Sequence, residues 1–107
     1  MKRGDIVTIA MQDDYGKPRP AMVLQSDNFA EHPSVIVLPI SSTMVDAPLF
    51  RITVHPSDRN GLKKSSQMMV DKIIAYKREK IGKAFGSIDH TTMIEVERAL
   101  AVFIGLA

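Results

Sequence analysis

The sequence predicts a small, mainly β domain with some α structure: a strongly bent sheet or barrel with a C-terminal helix packed on it. Two observations carry this prediction. Short apolar runs rich in β-branched residues fill most of the chain, separated by proline, glycine and aspartate turn signals. Helical periodicity is confined to the end. At 107 residues the chain can enclose one core and is below the size at which chains usually divide, so residues 1–107 read as a single domain.

Asp5 to Ala10 alternates and is β-branched, which predicts the first strand. The loop from Met11 to Pro18 follows, with Tyr15-Gly16 as its turn signal. Pro20 to Ser26 predicts the second strand and Ser34 to Leu38 the third, both as continuous apolar runs that suit burial on two faces. Phe50 to His55 alternates cleanly and predicts a fourth strand with one wet face. Asp58-Arg59-Asn60-Gly61 is a strong turn in which Gly61 can take positive φ. Gln67 to Asp71 and Lys72 to Tyr76 supply one long or two short strands. The helix follows Asp89 as N-cap, with Met93, Val96, Leu100, Phe103 and Ile104 on one side and Gly105 as its stop. From Ala99 to Ala107 the chain is wholly apolar or glycine, more than one buried stripe needs, which suits deep packing or a subunit interface.

Composition narrows the function classes. The chain has no cysteine, which excludes disulfides and thiolate metal sites. Its three histidines lack metal-ligand spacing, so neither metal nor cofactor is expected. No apolar run suits a signal peptide or a membrane span, which predicts a cytoplasmic protein. Net charge is only +2, but Arg59 to Lys83 holds eight basic residues against two acids. A basic stretch of this kind suits contact with a polyanion; it equally suits a solvated face that keeps edge strands from pairing.

The sharpest local feature is Lys17-Pro18-Arg19-Pro20. Each proline fixes its own φ and restrains the residue before it, so Arg19 is held extended at a stiff strand start. That arrangement suits gripping a phosphate, and it also suits a surface arginine beside a strand that begins with proline. Ser41-Ser42-Thr43 follows the third strand, Asp71 closes a later one, and Asp13 and Asp14 lie in the loop before Arg19. If these strand ends share one rim, they supply a cation, hydroxyls and carboxylates. Those are the parts needed to cleave RNA through its own 2′-hydroxyl without a metal. Ordinary turn capping accounts for Ser41 and Ser42 equally well.

The order Arg3-Gly4-Asp5-Ile6-Val7, Arg19-Pro20-Ala21-Met22-Val23-Leu24-Gln25-Ser26-Asp27 and Leu38-Pro39-Ile40-Ser41-Ser42 resembles the MazF/PemK toxin family. Gly61-Leu62-Lys63-Lys64-Ser65-Ser66, Val70-Asp71-Lys72-Ile73 and the segment from Asp89 to Val96 agree with it, so the resemblance spans nearly the whole chain. It implies an SH3-like bent β-barrel of the CcdB/PemK kind, acting as a homodimer. It also implies a metal-independent endoribonuclease that cuts single-stranded RNA at short sequences and is held inactive by a cognate antitoxin. Carried over residue by residue, the resemblance gives catalytic roles to Arg19, Ser41 (in place of the usual threonine) and Asp71. Substrate contacts then fall to Asp14, Lys17, Ser42, Thr43 and Lys72. The loop before Arg19 is shorter than in many relatives, and Asp71-Lys72 stands where an acid–glutamine pair is common.

Two other classes share the predicted fold. CcdB-type toxins poison DNA gyrase without catalysis, but they depend on a C-terminal Trp-Gly-Ile, and this chain has no tryptophan and ends Ile104-Gly105-Leu106-Ala107. A non-catalytic RNA-binding barrel would call for stacking aromatics, and the chain has four Phe and two Tyr.

Overall fold

The first three strands form a tight antiparallel meander, β1 (Asp5–Ala10), β2 (Pro18–Val23) and β3 (Ser34–Ser41). The computed structural model describes residues 1–10 and 17–107. Strands β4 (Arg51–Val54) and β5 (Ser66–Met69) form a second antiparallel pair, with β5 joined to the end of β3. Strand β6 (Ile74–Lys77) pairs with the start of β3, and the two-residue β7 (Gly86–Ser87) pairs with β1. Helix α1 (His90–Phe103) closes the chain.

The sheet curls because β3 changes partner along its length. Its first half, Ser34 to Val37, pairs with β6, and its last two residues, Ile40 and Ser41, pair with β5. Leu38 and Pro39 fall in the gap between these partners. Pro39, which has no N–H to give, therefore continues the strand at no ladder cost. This is why β3 runs three residues beyond the expected Leu38. The same reason explains why β2 begins at Pro18 rather than Pro20; it ends at Val23 rather than Ser26. Pro18 and Pro20 pair only with β1, because β3 reaches β2 no earlier than Ala21.

Side chains divide between two clusters. Ile6, Met22, Leu38, Ile40, Met68 and Val96 belong to the core shared by the sheet and helix. Val7, Ile9, Ala21, Val23, Val35 and Val37 form a second cluster on the opposite face, closed by Tyr76 and Ile81. Alternate residues of β1 to β3 thus bury on opposite faces, as the continuous apolar runs of β2 and β3 predict, and β1, expected to alternate, does the same with Ile6 on one face and Val7 and Ile9 on the other. The 3₁₀ turn Val70–Lys72 splits the last predicted run into β5 and β6. Asp89 caps α1 through the Thr92 amide, and Gly105 (φ +84°) ends it. On the helix only Met93 and Val96 are buried; Val102, Phe103 and Ile104 are exposed.

Candidate functional site

A concavity of about 640 Å³ opens along the rim formed by the start of β2, the end of β3 and the loop from Gly61 to Ser66. Arg19 stands on β2 opposite Ile9 of β1, between its two prolines, and lines this groove. The end of β3 brings Ser41, and the turn beyond it brings Ser42 and Thr43. The Ser41 hydroxyl accepts the Thr43 amide at 3.0 Å, so the capping role is real; its own proton remains to be donated into the groove. Turn capping and a position on the rim are therefore compatible at this residue.

The far lip carries Lys63 and Lys64. Its shape comes from Asn60, one of the few buried polar side chains. The Asn60 carboxamide oxygen accepts the Ser57 and Leu62 amides at 3.0 and 2.9 Å, and its nitrogen donates to the His55 carbonyl at 2.9 Å. Gly61 then turns at φ +67°, as expected of this turn. Buried Gln67 holds the opposite lip: its nitrogen donates to the Val45 carbonyl and its oxygen accepts the Val45 amide, at 2.9 and 3.0 Å. Among the described residues, the charged groups lining the groove are Arg19, Lys63 and Lys64, with no carboxylate. Such a surface selects for anions.

The other expected site residues fall elsewhere. Asp71, expected to act in catalysis, does not line the groove. It sits in the 3₁₀ turn after β5, where Arg51 donates two hydrogen bonds to it, Nε to Oδ1 at 2.8 Å and a terminal nitrogen to Oδ2 at 3.1 Å. That bidentate grip holds the carboxyl below the usual carboxylate range, against a smaller opposing push from burial. The chain turns at Val70–Lys72, which carries Asp71 and exposed Lys72 away from the rim that Ser66 and Met69 still line. Lys17 is exposed just before β2, beside the groove-lining Pro18 but not itself part of the lining. Asp14 lies outside the described residues.

Thr8 and Phe85 line the groove without a signal of their own in the sequence, whereas Lys63, Lys64 and Ser66 belong to the Gly61-to-Ser66 motif of the family resemblance. The Asn60-Gly61 turn signal directly before the lysine pair was the available clue. Among the described residues, no three His, Cys, Asp or Glu side chains converge to hold a metal. No helix there is long and apolar enough to cross a membrane.

A curled β sheet backed by one helix, with a cationic, hydroxyl-lined groove among the described residues of its rim, defines the class as a small barrel protein. Residues 2–104 match the family described as PemK-like, MazF-like toxins of type II toxin–antitoxin systems. A probable endoribonuclease MazF from Mycolicibacterium smegmatis is 41% identical over 108 residues, covering 100% of this chain and 99% of that protein. The chain belongs to this toxin family.

Solved structures agree on the fold. A mycobacterial endoribonuclease, solved in complex with its cognate antitoxin, has a TM-score of 0.82 at 19% identity over 100% of this chain and 97% of that one. A Mycobacterium tuberculosis MazF toxin gives 0.79 at 20% identity, over 95% and 98%. A chain of a Deinococcus radiodurans MazE–MazF crystal structure gives 0.80 at 18%, over 100% and 97%. Family membership does not favour the CcdB-type alternative.

Proposed function

We propose that this chain is a sequence-specific endoribonuclease that cleaves single-stranded RNA without a metal, acting in the cytoplasm. The observation that carries this reading is the groove itself. It sets Arg19 on a rigid strand start, beside the Ser41 to Thr43 hydroxyls and opposite Lys63 and Lys64, with no carboxylate among its described lining residues. The 41% identical probable endoribonuclease supports it.

In this reading the phosphodiester lies along the groove and the adjoining 2′-oxygen attacks phosphorus. The phosphorus–5′-oxygen bond breaks, the 2′-hydroxyl loses its proton, and the 5′-oxygen gains one. The products are a 2′,3′-cyclic phosphate and a 5′-hydroxyl. Charge accumulates on the non-bridging oxygens as the fifth bond to phosphorus forms. Arg19 neutralises it, and the Ser41 hydroxyl donates to the same oxygens. Ser42, Thr43 and Lys17 hold the flanking backbone. DNA lacks the internal nucleophile and is not cut.

The toxin works as a homodimer and is silenced by a cognate antitoxin. The exposed apolar helix end, with Val102, Phe103 and Ile104, supports the dimer. Neutralisation follows from family membership and from the antitoxin-bound mycobacterial relative.

The test is incubation of the purified protein with a long single-stranded RNA in EDTA, beside Arg19→Ala. Discrete fragments ending in cyclic phosphate are expected from the wild type. The variant, checked to be folded, should be slower by about 10²–10³-fold or more. Cleavage by Arg19→Ala at close to the wild-type rate, or cleavage that needs a divalent metal, overturns the mechanism.

A further inference from the structure

Phe85 is an exposed aromatic residue (45%) set in the wall of a groove whose charged groups, among the described residues, are all cationic. Water-facing apolar area of this kind stabilises nothing in the free chain. Its surroundings nevertheless fix it. The Phe85 amide donates to the Ile6 carbonyl at 2.9 Å, tying its backbone to β1. A Cβ at Gly61 would lie 2.8 Å from the Phe85 carbonyl oxygen and 3.0 Å from Cδ2 of the ring, so the ring rests against a residue that leaves room for it. The next residue, Gly86, abuts the backbone of Asn60, where any side chain would collide with the Asn60 carbonyl oxygen. The lip that carries Lys63 and Lys64 therefore also clamps Phe85.

A rigid aromatic face beside phosphate-binding cations is the pairing that single-stranded nucleic acid requires. Lysine and arginine hold the backbone, while an aromatic ring stacks on a base that has left its neighbours. An apolar peptide side chain could also cover a phenylalanine. The adjoining Arg19, Lys63, Lys64 and hydroxyls favour a ligand with a negative charge at every unit.

We propose that Phe85 is a base-stacking platform, a nucleobase subsite next to the phosphate grip of Arg19. The inference rests on the RNA reading of the groove. It adds a substrate-contacting residue that recognises a base by its π face.

The chain has no tryptophan, so Phe85→Trp installs a single indole at the platform. The variant is titrated with a 2′-O-methyl oligoribonucleotide, which cannot be cleaved, and with an abasic oligonucleotide of equal length and charge. Quenching by the first and not the second is expected. Equal quenching by both, or none by either, overturns the platform. In parallel, Phe85→Leu keeps apolar bulk and removes the π face. Its KM for RNA should rise about 5- to 150-fold with little change in kcat; an unchanged KM overturns the proposal. Base-dependent quenching from a protein that cuts no RNA would retain the platform and sink the nuclease. Cleavage without base-dependent quenching would do the reverse.

Discussion

Asp71 and Arg19 show how differently two charged side chains can be spent. Arg51 holds the Asp71 carboxyl at 2.8 Å, and both side chains are mostly covered, 12% and 21% exposed. Because the folded protein binds the Asp71 proton less readily than the unfolded chain does, the pair adds stability above the ordinary value of 3.8. That stability is lost as pH falls from there through the lower folded value. Asp71→Asn should cost on the order of 2 kcal/mol at neutral pH. The gap from wild type should shrink below pH 3.8 in melting curves. Below its melting temperature the variant should cut RNA at close to the wild-type rate. A rate loss beyond about tenfold in folded protein would return Asp71 to the chemistry. Arg19 resembled Asp71 in the sequence, as a charged residue at a strand end. Its two flanking prolines and its place on the rim distinguish it.

The lips of the groove are built by turns whose amides are satisfied by buried side chains. Asn60 serves the lysine lip and Gln67 the hydroxyl lip, and each takes backbone partners on both its oxygen and its nitrogen. Truncating Asn60→Ala leaves the Ser57 and Leu62 amides and the His55 carbonyl without their partner. The cost should be about 1–3 kcal/mol in denaturant unfolding. KM for RNA should rise as Lys63, Lys64 and Phe85 lose their fixed positions. Unchanged unfolding and KM would show that the turn holds without Asn60. The turn was legible from Asp58-Arg59-Asn60-Gly61. The role of Gln67 was not, since an amide within a strand-like run says nothing about which distant loop it will reach. β7 escaped for a related reason: two residues, Gly86 and Ser87, pair with β1 because of where the chain passes, not because of their own propensity.

Across the molecule, the curl of the sheet brings the starts and ends of strands far apart in sequence onto one rim. Three cations from two separated segments face the groove. With Lys17 on the flanking backbone as a fourth cation, log Kd for an uncleavable 2′-O-methyl oligonucleotide should change with log salt with a slope near 3 in magnitude, at about 0.7 per cation engaged. Lys63→Ala with Lys64→Ala should reduce it by about 1.4. A slope that does not respond would place the nucleic acid on another face.

The strand meander, the turn at Gly61, the Asp89 cap and the family were all determined by the sequence. Each depends on local residue chemistry or on an ordered set of short motifs. Tertiary structure decided which polar residues share a site. It took Arg19, Ser41, Ser42 and Thr43 into the groove, left Asp71 with Arg51, and added Lys63, Lys64 and Phe85. The physical reason is β3's change of partner at Leu38 and Pro39. That change bends the sheet, and the bend sets which strand ends become neighbours; no single segment encodes it.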